Sequence, residues 1–177
     1  GRIPRHVTIE GRPHEANARQ RLGDFEGDTI VSRGKRSGLV TLVDRKSRYL
    51  LAAKLKDRTA TRTRQKIQQL LAPLPKSKCR TATFDNGKEF SEHEALSRRL
   101  GIDVFFAHPY ASWERGTSET TNGLVRQYYP KGTDFNEVSH CDLARTVESI
   151  NNRPRKTLNY QTPSEVFFGK GTPRSCD

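Results

Sequence analysis

Between Leu22 and Val31 the chain alternates in a way few folds can accommodate. Asp24, Glu26 and Asp28 fall on one face of a predicted strand, and Phe25, Gly27 and Thr29 on the other, before Ile30-Val31 continue it. Three carboxylates in a row on one face is an odd choice for a chain with 32 Lys+Arg against 20 Asp+Glu. The face they share has to meet either arginines or a site that uses carboxylates.

The stretches that follow say where such a strand would lie. A charged, glycine-containing loop at residues 33–38 leads to a second strand, Leu39 to Asp44. Arg45-Lys46-Ser47 turns, and Arg48 to Leu55 reads as a third strand, which makes an antiparallel meander. Asp57 or Thr59 caps a predicted helix to about Leu71, with Ile67, Leu70 and Leu71 as its apolar stripe and Pro73 and Pro75 beyond it. A fourth strand spans Arg80 to Phe84. Ser91-x-x-Glu94 has the pattern of a capping box for a helix to Leu100, with Gly101 after it, and a fifth strand runs from Ile102 to Ala107. Further helices are expected from Ser118 or Glu119 to Tyr128, from Ser139 to about Asn151, and from Pro163 to Phe168. The order predicts a mixed α/β sheet of five strands, three antiparallel and then two parallel, flanked by helices. Right-handed crossovers set the fourth strand beside the first. Residues 1–21 read as a basic linker or arm, with Arg2, Arg5, Arg12, Arg19 and Arg21 either following a phosphate backbone or simply solvated. Residues 22–152 read as the core and 153–177 as a basic C-terminal extension with a short helix.

That adjacency gives Asp85 its interest. It ends the fourth strand and is followed by Asn86-Gly87, a pair suited to a tight turn because both tolerate positive φ. The carboxyl ends of strands are where open α/β sheets place their chemistry. A third acid should come from a helix crossing those ends, and Glu119 is the best placed. At roughly 4 Å, each carboxylate pair repels by about 4 kcal/mol at an effective dielectric of 20. Two Mg²⁺ (or Mn²⁺) ions would reverse the sign of the site and hold a phosphodiester with its attacking and leaving oxygens. A net charge of +12 points to a polyanion, most simply nucleic acid. The apolar runs are too short to span a bilayer, and no signal peptide precedes them. Cys79, Cys141 and Cys176 are far apart, with no Cys-x-x-Cys, so reduced thiols are expected rather than zinc. The absence of any Met suggests a segment of a longer chain.

Several stretches resemble bacterial insertion-sequence transposases of the DDE class, the insertion-sequence thirty family most closely. They are Gly27-Asp28-Thr29-Ile30, Thr41 to Arg48, Asp85-Asn86-Gly87-Lys88-Glu89-Phe90, Ala107-His108-Pro109-Tyr110, and Trp113 to Leu124. Asn151-Asn152-Arg153-Pro154, Leu158 and Thr162-Pro163-Ser164-Glu165 extend the similarity to nearly the whole chain. The resemblance implies an RNase H-like fold shared with retroviral integrases. It implies catalytic and metal-ligating roles for Asp28, Asp85 and Glu119, the last two separated by thirty-three residues (positions 86 to 118). It also implies metal-dependent DNA strand cleavage and strand transfer, action on transposon ends and target DNA as a homo-oligomer, a bacterial cytoplasmic setting near the nucleoid, and a preceding helix-turn-helix domain.

Other residues compete for these roles. Asp24 and Glu26 rival Asp28, with salt bridges to arginines as their alternative. Glu114 rivals Glu119 from a loop. Asp44 reads as a turn residue ahead of one near the metals, His108 as a hydrogen-bonded structural histidine ahead of a group for proton transfer or DNA binding, and Trp113 as either a wedge against bases or a loop anchor. Arg115, Arg126 and Lys131 flank the Glu119 helix and are the expected phosphate contacts. An RNase H-like nuclease that hydrolyses without strand transfer, or a non-catalytic nucleic-acid-binding module, would share much of this pattern.

Overall fold

The carboxylate-bearing strand sits near the middle of a sheet whose two faces are covered by different helices. The computed structural model describes residues 6–34 and 36–169. In chain order the strands are β1 (Val7–Thr8), β2 (Asp24–Val31), β3 (Gly38–Asp44), β4 (Leu50–Leu55), β5 (Thr81–Phe84) and β6 (Asp103–Phe106). The helices are α1 (His14–Asn17), α2 (Ala60–Leu71), α3 (His93–Leu100), α4 (Gly116–Tyr128), α5 (His140–Asn151) and α6 (Pro163–Phe168).

The sheet order is β1-β6-β5-β2-β3-β4. β2, β3 and β4 form the antiparallel meander, while β5 runs parallel to β2 and β6 parallel to β5. The five expected strands and the placement of the fourth beside the first are all present. The sixth, β1, pairs parallel with β6 through Val7 and Thr8. It falls in the stretch read as an arm, where two residues are too few to show a period. Within that stretch Arg12 is buried and donates to Thr83 Oγ1 (3.2 Å) on β5 and to Asn17 Oδ1 (2.7 Å), so the segment packs on the sheet. Burial, with Arg45 nearby, lowers the Arg12 guanidinium to about 10. Arg2 and Arg5 lie outside the described residues.

Strand alternation separates two cores. Phe25, Val40, Leu42, Phe84 and Phe106 point to the face covered by α2, α3 and α6, where Ile67, Leu71, Leu96 and Phe167 complete a buried cluster. Ile30, Leu39 and Leu50 point to the other face and cluster with Val125, Tyr129, Leu143 and Ile150 from α4 and α5. Gly27 faces the first core. A Cβ there would lie 2.2 Å from Phe84 Cε1, so the Phe84 ring occupies the space a side chain would need.

The caps are mostly those the residues announce. Thr59 accepts from Arg62 N, Ser139 from Asp142 N, and Thr162 with Glu165 forms a reciprocal capping box. Ser91 is the exception. It closes a 3₁₀ turn at Lys88–Phe90 that runs on towards α3, so Glu92 stands at the cap position without a side-chain cap bond. Glu92 instead receives Arg64 Nε at 2.6 Å. Gly101 ends α3 at φ 64°, the left-handed conformation glycine adopts without steric penalty. Among the described residues no helix is long and apolar enough to cross a membrane.

Candidate active site: two carboxylates around one guanidinium

The site begins with the even-numbered residues of β2. α4 crosses above them, and each meets a different level of the helix. Glu26 Oε2 accepts from Ser118 N (2.8 Å), Asp28 Oδ2 accepts from Asn122 Nδ2 (2.9 Å), and Ile30 packs in the cluster that holds Val125. This is why α4 starts at Gly116 rather than at the expected Ser118 or Glu119: a strand carboxylate takes up the Ser118 amide that a local cap would otherwise satisfy.

The three acids of the strand therefore have different fates. Asp24 receives Arg21 Nε at 2.8 Å and Thr81 Oγ1 at 2.9 Å. Glu26 is fully buried and paired with Arg45 Nη1 at 2.6 Å. Only Asp28 faces the open end of the sheet. Its Oδ1 accepts from Thr29 N (2.8 Å), and Asn122, which bonds Oδ2, is itself fixed by Thr41 Oγ1 (3.0 Å). Burial raises the Asp28 carboxyl above the ordinary carboxylate range, Arg115 pulls it back, and Asp85 pushes it further up.

β5 brings Asp85 to the same place. Its side chain is 40% exposed, and Oδ1 accepts from Gly87 N at 2.9 Å. The turn differs from the expected one. Gly87 has φ −64°, and neither it nor Asn86 adopts a positive φ. A Cβ there would lie 2.9 Å from Asp85 Oδ1 and 2.6 Å from Glu89 Oε2, so a side chain at this position would push on both carboxylates. Asn86 ties the turn to β6 by donating to Ala107 O at 2.7 Å. Glu89 accepts from Thr29 Oγ1 at 2.8 Å and lies 3.6 Å from Arg58 Nη1, which keeps it beside the turn.

Arg115 joins the two aspartates. Its Nη1 lies 3.4 Å from Asp28 Oδ2 and its Nη2 3.6 Å from Asp85 Oδ2. The guanidinium is buried, and its Nε and Nη1 make no hydrogen bond. It acts here as a charge between two like charges. Arg115, Glu119 and Asn122 follow at helical spacing, which sets them on one face of α4. Glu119 is exposed on that face, one turn from each of the residues that touch Asp28. Among the described residues, no three His, Cys, Asp or Glu side chains gather closely enough to hold a metal ion as they stand. The structure thus brings Asp28 and Asp85 together and leaves Glu119 beside them but not closed on them.

The donor set nonetheless fits a hard divalent cation. It consists of carboxylate oxygens, and a cation with unused hydrogen-bonding capacity already lies between two of them.

The expected phosphate contacts resolve differently. Arg115 is engaged with the acids. Arg126 donates to the main-chain carbonyls of Val31 (3.1 Å), Tyr129 (3.4 Å) and Pro130 (3.3 Å), so it fastens the end of α4 to β2. Lys131 is exposed. Asp44 is a turn residue, accepting from Gly23 N, Ser47 N and Ser47 Oγ. His108 is held between Glu114 Oε1 (2.9 Å) and Glu10 Oε1 (2.7 Å), and both contacts raise its affinity for a proton. That pairing occupies Glu114. Trp113 is 75% exposed and so does not anchor its loop by burial. Asn122 was not a sequence candidate, although its position three residues after Glu119 on a helix is the signal that would have identified it.

Residues 18–112 match the family model described as the integrase core domain. The chain is 44% identical over 171 residues to the transposase for insertion sequence element IS1086 of Cupriavidus metallidurans, covering 94% of this chain and 49% of that protein. It is 39% identical over 161 residues to the transposase InsI for insertion sequence element IS30A of Escherichia coli, covering 91% of this chain and 42% of that protein. The chain thus spans about half or less of the length of these relatives. Among solved structures it is similar to the catalytic core domain of BIV integrase, with a TM-score of 0.63 and 21% identity, covering 82% of this chain and 93% of that one. The fold is therefore that of integrase catalytic cores, RNase H-like.

Proposed function

We propose, from the premise that this chain belongs to the integrase core domain family, that it is the catalytic core of an insertion-sequence transposase that cuts DNA at a transposon end and joins the exposed 3′-hydroxyl to target DNA. The observation that carries this reading is the meeting of Asp28 and Asp85, fifty-odd positions apart in sequence, around a single cation at 3.4 and 3.6 Å.

Asp28, Asp85 and Glu119 would hold divalent metal, Mg²⁺ or Mn²⁺. When bound, the metal supplies positive charge for the phosphodiester oxygens and for an oxygen nucleophile. The rest is the work of the chain itself. Asn122 and the Thr29 amide hold Asp28 in one orientation, so its oxygens need no reordering when substrate arrives. The Gly87 amide does the same for Asp85. Glu119, exposed on the face of α4 that carries Arg115 and Asn122, completes the set from a flexible side chain. Arg115 places a positive charge between the two carboxylates in the absence of other cations. The substrates on this reading are transposon-end and target DNA, and the working form is a homo-oligomer on DNA.

The test is strand transfer with a pre-cut 3′-hydroxyl end in Mn²⁺. Asp28→Asn, Asp85→Asn and Glu119→Gln should each reduce joined product by at least ~100-fold, since even indirect partners of a metal site are worth 10- to 100-fold. Hydrolysis without joining would replace the reading with a nuclease. Unchanged activity in Glu119→Gln would remove that residue from the site.

A further inference from the structure

On the flank of α4 turned away from Asp28 there is a cleft of about 330 Å³. Three arginines from separate parts of the chain line it: Arg19 ahead of β2, Arg48 from the β3–β4 turn, and Arg155 beyond α5. Thr117 and Thr120 of α4 and Thr157 supply hydroxyls, and no carboxylate contributes to the lining. Thr117 Oγ1 accepts from Arg48 Nη1 (2.5 Å) and from Arg19 Nη2 (3.2 Å). With both acceptor positions used, its own proton is left to donate outward.

One neutral hydroxyl does not balance these charges. Burial and the neighbouring charges of Arg19 and Arg45 lower the proton affinity of Arg48, against a smaller opposing pull from Glu26 and Asp44 behind it. Arg155 reaches Ile150 O with Nη2 at 2.8 Å, yet its Nε is buried without a partner. Arg19 and Arg48 also adopt φ values of 54° and 65°, a conformation that side chains with a Cβ seldom take. Like charges have been drawn together on unfavourable backbone around a cavity, with donors unused.

We propose that this cleft binds a phosphodiester group of a nucleic-acid strand, held by Arg19, Arg48 and Arg155 with the Thr117 hydroxyl. Guanidinium forks and a hydroxyl donor match phosphate oxygens in both charge and hydrogen-bonding geometry. The proposal rests on the reading of the protein as a DNA-processing core, and it adds a second point of hold on the same strand. Helical phase sets Thr117 and Thr120 on a different side of α4 from Asn122 and Arg115. The anchored phosphate therefore lies across the start of α4 from the reacting one.

The full chain, labelled with ¹⁵N-arginine, would be titrated with single-stranded hexathymidylate and separately with inorganic phosphate while the Nε–Hε resonances are followed. The Arg155 resonance should move with the oligonucleotide at concentrations at least tenfold below those at which phosphate moves it. Arg19 is exposed, so Arg19→Gln leaves the fold in place. That variant should bind the oligonucleotide about fivefold more weakly, with the slope of log K against log salt reduced by about 0.7 if one phosphate contact is lost. A stationary Arg155 resonance while the oligonucleotide saturates the protein elsewhere would overturn the proposal, and so would an unchanged salt slope. An equal response to inorganic phosphate would reduce the site to an adventitious ion only. Asp85→Asn should abolish strand cutting and leave the Arg155 response intact. Absence of cutting in the unmodified protein, with the Arg155 response present, would defeat the transposase reading and leave the cleft standing.

Discussion

Replacing Arg115 with glutamine should tighten metal binding rather than weaken it. The guanidinium lies 3.4 Å from Asp28 and 3.6 Å from Asp85, where a unit charge pair is worth about 5 kcal/mol at an effective dielectric of 20. Asp85 is 40% exposed, and solvent reduces such a pair to about 1 kcal/mol. The two contacts together then contribute about 2 kcal/mol, all of it opposed to a divalent ion entering the same space. Relieving even about 1.4 kcal/mol corresponds to a tenfold gain in Mn²⁺ affinity without DNA. With metal well above its dissociation constant, that gain appears as about 1.4 kcal/mol of added stabilisation. For a chain of 177 residues this is ~3–6 °C in Tm. Thermal unfolding in EDTA and across a Mn²⁺ series measures it, each variant being referred to its own metal-free Tm, so that any loss from leaving two carboxylates unneutralised cancels. A Mn²⁺-induced shift in Arg115→Gln no larger than that of the unmodified protein would refute the idea that the guanidinium occupies the cation's place.

Gly27→Ala should destabilise the fold by about 2–3 kcal/mol through overpacking, because the new methyl would fall 2.2 Å from Phe84 Cε1. The urea midpoint should drop at unchanged m, and adding Phe84→Leu should recover part of the loss; no recovery would place the clash elsewhere. His108 offers a pH dependence. Its affinity for a proton is raised, first by Glu114 and then by Glu10, above the ordinary value near 6.5. Its contribution is therefore complete below pH 6.5 and fades as pH rises through the higher folded-state value. Limited proteolysis of the 108–115 loop in His108→Gln should exceed that of the unmodified protein at pH 6 and match it at pH 9. An equal excess at both values would mean that the pairing with the two glutamates does not control the loop.

Much of the architecture is legible because period and punctuation agree along the chain. The alternation of β2 separates Phe25 and Gly27 from Asp24, Glu26 and Asp28, and the structure keeps that separation. Alternation cannot say which of three acids on one face remains open. That depends on how far α4 slides along β2 before it covers the strand, and the helix stops with Ser118 over Glu26. The same limit applies to the cations. Arg115 and Arg126 look alike as basic residues flanking one helix and share a helical phase, yet three turns of separation along α4 set one on two aspartates and the other on three carbonyls. Asn86-Gly87 marks a turn correctly but without the positive φ that the pair suggests, and what a side chain at Gly87 would meet is the two carboxylates of Asp85 and Glu89. β1 is two residues long, and only its pairing with β6 reveals it.

Glu26 performs no chemistry on any of these readings, yet it governs where the chemistry can occur. With one oxygen on Arg45 and the other on the Ser118 amide, it pins a helix to a strand at a single tooth. Only the first turn of a helix offers backbone amides that are not already bonded within it, so α4 has no equivalent donor further along. Drift of α4 along the strand would leave a buried charge without that donor, and Glu119 is thereby held at one level against Asp28.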